Sequence, residues 1–368
     1  MSEYHQNASH FLDLLQRDPA IHLESMAHQA QNLTRHFFGN TMQLYVPLYL
    51  SNYCSGGCAY CGFAADRKQI RHRLEKDEIV RELTALKRLG FEQILLLTGE
   101  RCEAADFSYL LQAVELASSM FHDINIETFP MSTSEYCTLV NAGCTGVTIY
   151  QETYDHARYE HFHRWGPKRD YSYRYETPER ALQAGVANVG MGVLLGLSDP
   201  IEDALALYRH VYALQKTYWR SSFSISFPRL RPEAGGFEPP YKVSDLELAK
   251  LIFAFRIVLP ETNLVLSTRE SPQFRDGMAG IGINRMSAGS LTTVGGYGST
   301  KIDEGQFKIS DDRDVGEICR MLQEKGLEPV FKNWDSAYRD AIETNYNLFK
   351  HTNQKEKLNE SARDVSSA

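Results

Sequence analysis

The hydrophobic positions of this chain change period near residue 40. Before it, FLDLLQ and AIHLESMAHQAQNLTRHFFG place apolar residues at helical spacing, and Gly39 stops the pattern. Residues 1–40 are therefore expected as a helical extension. After it, short apolar runs alternate with amphipathic segments. The runs are LYVPLYLS (44–51), QILLLTG (93–99), INIETFP (124–130), GVTIYQ (146–151), VGMGVLLG (189–196), FSISFPRL (223–230), LVLSTRE (264–270) and INRMS (283–287). Between them lie helical patterns such as DEIVRELTALKRLG, DFSYLLQAVELASSMF and EDALALYRHVYALQ, and DVGEICRMLQEKG follows the last. Strand–helix alternation with short connections predicts a parallel sheet covered by helices. Eight repeats predict an α/β fold of the closed (β/α)8, TIM-barrel type. An open Rossmann-like sheet competes, but the first strand–helix turn holds cysteines and no G-x-G-x-x-G. One catalytic domain with a C-terminal cap is expected over 41–348, and the polar stretch 349–368 as a disordered tail.

Composition narrows the functional class. The chain has 368 residues with 20 Tyr and 18 Phe, enough to build a large core. A net charge of −8 argues against broad nucleic-acid or anionic-membrane binding. No apolar run approaches the roughly 20 residues of a spanning helix. The start, MSEYHQNASHFLDLL, lacks a basic segment followed by an apolar one, so a cytoplasmic location is expected.

Of seven cysteines, Cys102, Cys137, Cys144 and Cys319 are scattered and read as small buried hydrophobes. The other three, Cys54, Cys58 and Cys61, sit in SNYCSGGCAYCGF directly after the first strand. In a barrel, that places them at the mouth. Ser55-Gly56-Gly57 lets the chain curl so that three sulfurs converge. Three thiolates without a nearby fourth ligand do not complete a zinc tetrahedron, though a distant His could. They suit a [4Fe–4S] cube with one iron open to an exogenous ligand. Three unliganded thiols are the remaining alternative, disfavoured because exposed free thiols oxidise.

This C-x3-C-x2-C spacing at a barrel's first strand–helix junction resembles the radical S-adenosylmethionine (SAM) enzymes. The resemblance implies that the open iron is chelated by SAM. One electron then yields methionine and a 5′-deoxyadenosyl radical, which abstracts hydrogen from substrate. Further positions fit the superfamily's pattern. Glu100, in Thr98-Gly99-Glu100, matches the acid that binds the SAM amino group. Glu152 in YQETYD matches the acid on the ribose hydroxyls, and Arg174 in YRYETPERALQAG the partner of the SAM carboxylate. Gly192 and Gly196 in GVLLG match the strand that lets adenine lie against backbone.

LYLSNYC, CAYCGF, IYQETYD, GVLLGLSD, SFPRLRP, LSTRES, QFRDG and VFKNWDS together resemble the radical SAM aromatic amino acid lyases, closest to the 2-iminoacetate synthase family of thiazole (thiamine) biosynthesis. That family cleaves L-tyrosine to p-cresol and 2-iminoacetate, which passes to thiazole synthase. The related hydrogenase-maturation lyase carries a second cysteine triad; here Cys319 is the only cysteine after Cys144. A tryptophan lyase is the closer competitor. By the same resemblance, Arg269 and Ser287 would hold the substrate carboxylate, with Tyr49 near its amino group. The residues alone leave other readings: Arg269 paired with Glu270 or Asp276, Tyr49 as a core aromatic, Ser287 as a turn hydroxyl. Arg229 and Arg231 either line the site or pair with acids at the barrel top. His156, His161 and His163 read as a solvated helical face rather than a metal site. The basic group Arg67, Lys68, Arg71 and Arg73 is a docking candidate for an acidic electron donor such as flavodoxin. A non-catalytic iron–sulfur scaffold or redox sensor is the alternative from another class, but it would not need Glu100, Arg174 or Arg269.

Overall fold

The computed structural model describes residues 3–233, 235–300 and 305–332. The last part of the expected cap and the expected tail lie outside the described residues. Eight strands form a ring: β1 (Thr41–Tyr49), β2 (Gln93–Leu97), β3 (Asp123–Glu127), β4 (Gly146–Glu152), β5 (Asn188–Val193), β6 (Ser222–Ser226), β7 (Asn263–Leu266) and β8 (Arg285–Ser287). All neighbours are parallel, and β1 bonds both β2 and β8, which closes the barrel. A ninth strand, β9 (Glu328–Val330), pairs with Thr41–Gln43 at the entry end of β1. Three residues with a central proline gave no strand signal of their own.

The helices are α1 (Glu3–Gln16), α2 (Pro19–Phe38), α3 (Lys76–Arg88), α4 (Phe107–Ser118), α5 (Thr133–Asn141), α6 (His156–Phe162), α7 (Tyr171–Tyr175), α8 (Thr177–Gln183), α9 (Pro200–Thr217), α10 (Asp245–Val258), α11 (Pro272–Met278) and α12 (Val315–Glu324). Their starts are locally encoded. Ser132 with Glu135, Ser244 with Glu247 and Asp314 with Glu317 form capping boxes that satisfy first-turn N–H groups. The extension α1–α2 lies on the barrel's outer helices, with Phe11 packed edge-on to Phe255 at 4.7 Å and against Tyr208 at 5.0 Å.

Six strands, β1, β2, β3, β5, β6 and β7, end earlier than their apolar runs, and two of these ends matter for the site. β6 stops at Ser226, where Pro228 follows and can donate no ladder bond. β7 stops at Leu266, so Arg269 stands on the loop beyond the strand.

Alternation along each strand divides the molecule into two environments. Leu44, Val46, Leu48, Ile94, Leu96, Ile124, Ile126, Phe223, Ile225 and Leu264 point outward and join the main core under the helices. Each such side chain contributes roughly 1.5–3 kcal/mol by leaving water. The intervening positions point into the barrel. They include Tyr45, Asn125, Glu127, Thr148, Ser224, Ser226 and Arg285, which line interior cavities. A barrel interior is ordinarily filled by branched aliphatics. This one is polar and partly open, and its upper end holds the candidate chemistry.

Candidate active site

The cysteine loop leaves β1 and is fixed by backbone pairing before any ligand enters. Gly57 N–H donates to the Trp165 carbonyl at 3.0 Å, and Ala59 N–H to the Phe162 carbonyl at 2.9 Å. Arg71 clamps the far side through the carbonyls of Asn52 (2.6 Å), Phe63 (2.9 Å) and Ala64 (2.6 Å). Two glycines permit the close approach. A Cβ on Gly57 would lie 2.3 Å from the Trp165 ring, and one on Gly99 would lie 2.6 Å from the Tyr53 carbonyl oxygen.

Cys54, Cys58 and Cys61 line one cavity of about 630 Å³, together with Glu100, Glu127, Glu152, Lys168 and Arg174. Gly56 and Glu100 each donate a backbone N–H to Cys54 Sγ at 3.3 Å, and Gln306 Nε2 lies 3.5 Å from Cys61 Sγ. Burial pushes the Cys54 thiol up to about 11 and raises that of Cys58 further. Buried thiols with elevated pKa values suit a metal, whose charge removes the proton outright. Among the described residues, no three His, Cys, Asp or Glu side chains gather round a point that would hold one metal ion. A cube distributes three thiolates over three irons, so its ligands need only face one chamber. The amide donors to sulfur and the chamber's volume fit such a group.

An ionic network closes the chamber's other side. Arg174, from α7, reaches Glu100 Oε1 at 3.3 Å and Glu152 Oε1 at 3.4 Å, and its Nε donates to the Tyr150 carbonyl at 2.7 Å. Lys168 Nζ donates to the same Glu152 oxygen at 2.5 Å. Burial and Arg174 oppose the charge on Lys168, but Glu152, with Cys58 and Glu100, outweighs them and raises its pKa. Burial raises the pKa of Glu100 against the pull of Arg174, and its second oxygen, Oε2, is buried without a partner. Glu152 sits at a register shift in β4 with φ +72°, a left-handed conformation rare outside glycine. The bulge turns its carboxylate toward the chamber.

A second cavity of about 500 Å³ lies deeper, lined by Tyr49, Glu127, Tyr150, Arg269, Ser287 and Phe307 among others. Tyr49, Leu97, Glu127 and Tyr150 line both cavities, so the two share a wall. Arg269 does not pair with Glu270 or Asp276. Glu270 is held by Arg229 and by Arg231 (2.8 Å), and Asp276 by Arg313 (2.8 Å). Arg269 instead lies 3.4 Å over the Phe307 ring and makes one 3.4 Å contact to the Arg229 carbonyl. Ser287 Oγ accepts the Thr268 N–H at 3.1 Å, and the Ser287 carbonyl is tied to buried Arg275. Tyr49 Oη donates to Gln306 Oε1 at 2.8 Å, and burial holds its pKa well above the usual tyrosine value.

Other expected features are placed differently. Gly192 and Gly196 do not line the cysteine cavity. A Cβ on Gly192 would meet the Ser226 carbonyl oxygen at 2.6 Å and Tyr150 at 2.7 Å, while Gly196 packs under Leu230 and Pro239. Leu194 is the residue just beyond β5 that faces the chamber's mouth. His163 is not solvated: it is fully buried, 2.7 Å from Tyr60 Oη and from the Tyr159 carbonyl oxygen. The basic group is largely spent within its own loop. Arg71 is the clamp described above, and Arg67 bonds the Ala59 carbonyl (2.6 Å) and Glu233 (3.2 Å).

Sequence reasoning missed Lys168, Gln306 and Glu127. Lys168 lies on a short 3-10 turn and Gln306 on a loop, and neither carries a periodic signal. Glu127 was readable as an acid at the mouth-side end of the third strand.

The chain is similar to known proteins over most of its length. Residues 48–211 match the radical SAM superfamily, and residues 226–328 match the biotin and thiamin synthesis associated domain. The chain is 43% identical to 2-iminoacetate synthase of Escherichia coli (strain K12), over 86% of this chain and 84% of that one. It is 41% identical to the Salmonella typhimurium 2-iminoacetate synthase, over 92% and 90% respectively. Among solved structures it resembles the [FeFe]-hydrogenase maturase HydG from Carboxydothermus hydrogenoformans, with a TM-score of 0.82 and 32% identity, over 88% of this chain and 75% of that one. No helix among the described residues is long and apolar enough to cross a membrane.

Proposed function

The chain belongs to the radical SAM superfamily, closely related to the 2-iminoacetate synthases, and on that premise we propose that it cleaves the Cα–Cβ bond of L-tyrosine to p-cresol and 2-iminoacetate. When bound, a [4Fe–4S] cluster with SAM supplies the one-electron chemistry that removes a hydrogen atom from substrate. Cys54, Cys58 and Cys61 hold the cluster. Glu100 offers its unpartnered Oε2 to the SAM ammonium, a charge-assisted bond. Arg174 takes the SAM carboxylate and Glu152 the ribose hydroxyls.

On the deeper side, Arg269 binds the tyrosine carboxylate through its planar fork, with Ser287 beside it and Tyr49 at the shared wall. Holding the substrate there keeps its amino end toward the cysteine chamber and excludes water from the reacting centre. The observation that carries this reading is the guanidinium of Arg269: it has no acid partner among the described residues and faces a cavity that shares a wall with the three thiols. On this reading the product passes to thiazole synthase, and a donor such as flavodoxin supplies electrons.

The test is anaerobic reconstitution with iron and sulfide, followed by SAM, dithionite and L-tyrosine. Deoxyadenosine and p-cresol are expected together. Consumption of tryptophan in place of tyrosine would make the protein a tryptophan lyase. Cluster binding without deoxyadenosine would make it a scaffold.

A further inference from the structure

The deep cavity carries two charged side chains among the described residues, Glu127 and Arg269. They leave β3 and the loop after β7, four strands apart in a ring of eight, and so stand on opposite walls. Each is close enough to feel the other, since Arg269 draws the Glu127 pKa down while burial and Glu152 push it up. Neither has an ion-pair partner among the described residues, although most acids and bases around them are paired. One acid facing one base across a cavity is the charge complement of a zwitterionic α-amino acid. Glu127 is also the charged residue on the wall shared with the cysteine chamber, where the reacting nitrogen must lie.

Deepening the lyase reading above and resting on it, we propose that Glu127 is the subsite for the substrate's α-ammonium group and accepts one of its protons. The N–H bond breaks with its electron pair left on nitrogen, and an O–H bond forms on the carboxyl group. The nitrogen then meets the hydrogen-abstracting centre as a neutral amine. The balance of charges around Glu127 suits the exchange. Burial and Glu152 raise its pKa, Arg269, Lys168 and Arg174 lower it, and the outcome is about 7. Tyr49 and Tyr150 also face it, and burial keeps both phenols neutral. A carboxyl group poised near the working pH can both bind an ammonium and take its proton. Glutamate is needed only as the anion, so product formation should rise with pH through about 7.

The experiment compares L-tyrosine with 3-(4-hydroxyphenyl)propanoate, which lacks the amino group. Binding is measured by calorimetry on cluster- and SAM-loaded protein without reductant. Glu127→Gln is expected to weaken tyrosine at least tenfold and to leave the desamino ligand unchanged or tighter. Glu127→Asp, which keeps the charge, should restore most of the preference for tyrosine. In turnover, Glu127→Gln should lose the rise of p-cresol formation through about pH 7. Equal weakening of both ligands, or of neither, overturns the subsite, as does an unaltered pH profile in Glu127→Gln. If the parent binds tyrosine but forms no p-cresol, the lyase reading fails alone and the ligand pair still decides Glu127. If it binds no aromatic α-amino acid, both fail.

Discussion

The two walls of the chamber handle charge in opposite ways. On the cysteine side, Arg174 and Lys168 are already joined to Glu100 and Glu152, so two cations and two acids hold one another in place. On the β7–β8 side, Arg229, Arg231 and Arg313 consume the nearby acids and leave Arg269 with a ring face and a carbonyl. Paired ions keep a buried chamber from paying the full desolvation penalty of isolated charges. They also tie α7, the turn before it and the ends of β2 and β4 to one another. An unpaired cation at the rim of a cavity has its electrostatic attraction still to give, which makes it a recognition site. The molecule thus separates a pre-assembled wall from a receptive one.

The sharpest way to break the comparison is to remove a ligand from the pre-assembled wall. Cys58→Ala should abolish deoxyadenosine formation and make reconstituted iron labile, because one iron of the cube loses its anchor. The loop should stay folded, since its backbone bonds to Phe162 and Trp165 do not involve the thiol. Full deoxyadenosine production in the variant, with iron content like the parent's, would contradict the assignment.

Arg269→Ala tests the receptive wall. Stranding a buried carboxylate costs about 3–5 kcal/mol, so p-cresol formation should fall by roughly a hundredfold or more at about 1.4 kcal/mol per decade. Uncoupled deoxyadenosine formation should persist, because Glu100, Glu152 and Arg174 are untouched. Arg269→Lys should be impaired less. Parent-like p-cresol production by the alanine variant would return Arg269 to the scaffold.

Lys168→Met is a milder probe of the paired network. Glu152 would keep Arg174 as a partner at 3.4 Å. SAM affinity in equilibrium dialysis should therefore fall by only about tenfold, or about 1.4 kcal/mol. A loss as large as that from Arg174→Met, which strands Glu100 and leaves Glu152 to Lys168, would show that the network is not shared in this way.

The smallest effect is expected away from both walls. His210 on α9 stacks on Tyr175 at 4.0 Å and lies 2.9 Å from Tyr154 Oη, and burial lowers its pKa to about 4. The unfolded chain binds the proton first, near pH 6.5. Stability from the neutral folded form is therefore present above that value and is lost as pH falls toward about 4. The expected loss is about 1 kcal/mol between pH 7.5 and 5.5. Denaturant melts of His210→Gln should show a shallower decline over that window than the parent. Parallel declines would indicate that His210 is not buried neutral.

Much of the barrel was legible because its signals are local. Helix caps, the apolar alternate positions and the punctuating glycines all act within a few residues, and they located eight strands in order. The cysteine loop was legible for the same reason: its ligands lie within eight consecutive residues. The strand β9 escaped because its pairing to Thr41–Gln43 joins segments far apart in the chain, the one before the first barrel helix and the other after the last barrel strand. His163 was misread because the 155–165 stretch looks polar, whereas Tyr60, from the cysteine loop, supplies the bond that lets the imidazole be buried.

The sequence by itself determined the ring of strands, the three thiols at its mouth and the residues competent to bind charge. Which charges are spent and which are free was decided only by the tertiary structure. Arg229, Arg231, Arg269 and Glu270 look interchangeable as partners along the chain. The fold joins Arg229 and Arg231 to Glu270 and leaves Arg269 facing Glu127 across the barrel. Ion pairing depends on distance and desolvation, and neither exists until distant strands close round a common interior.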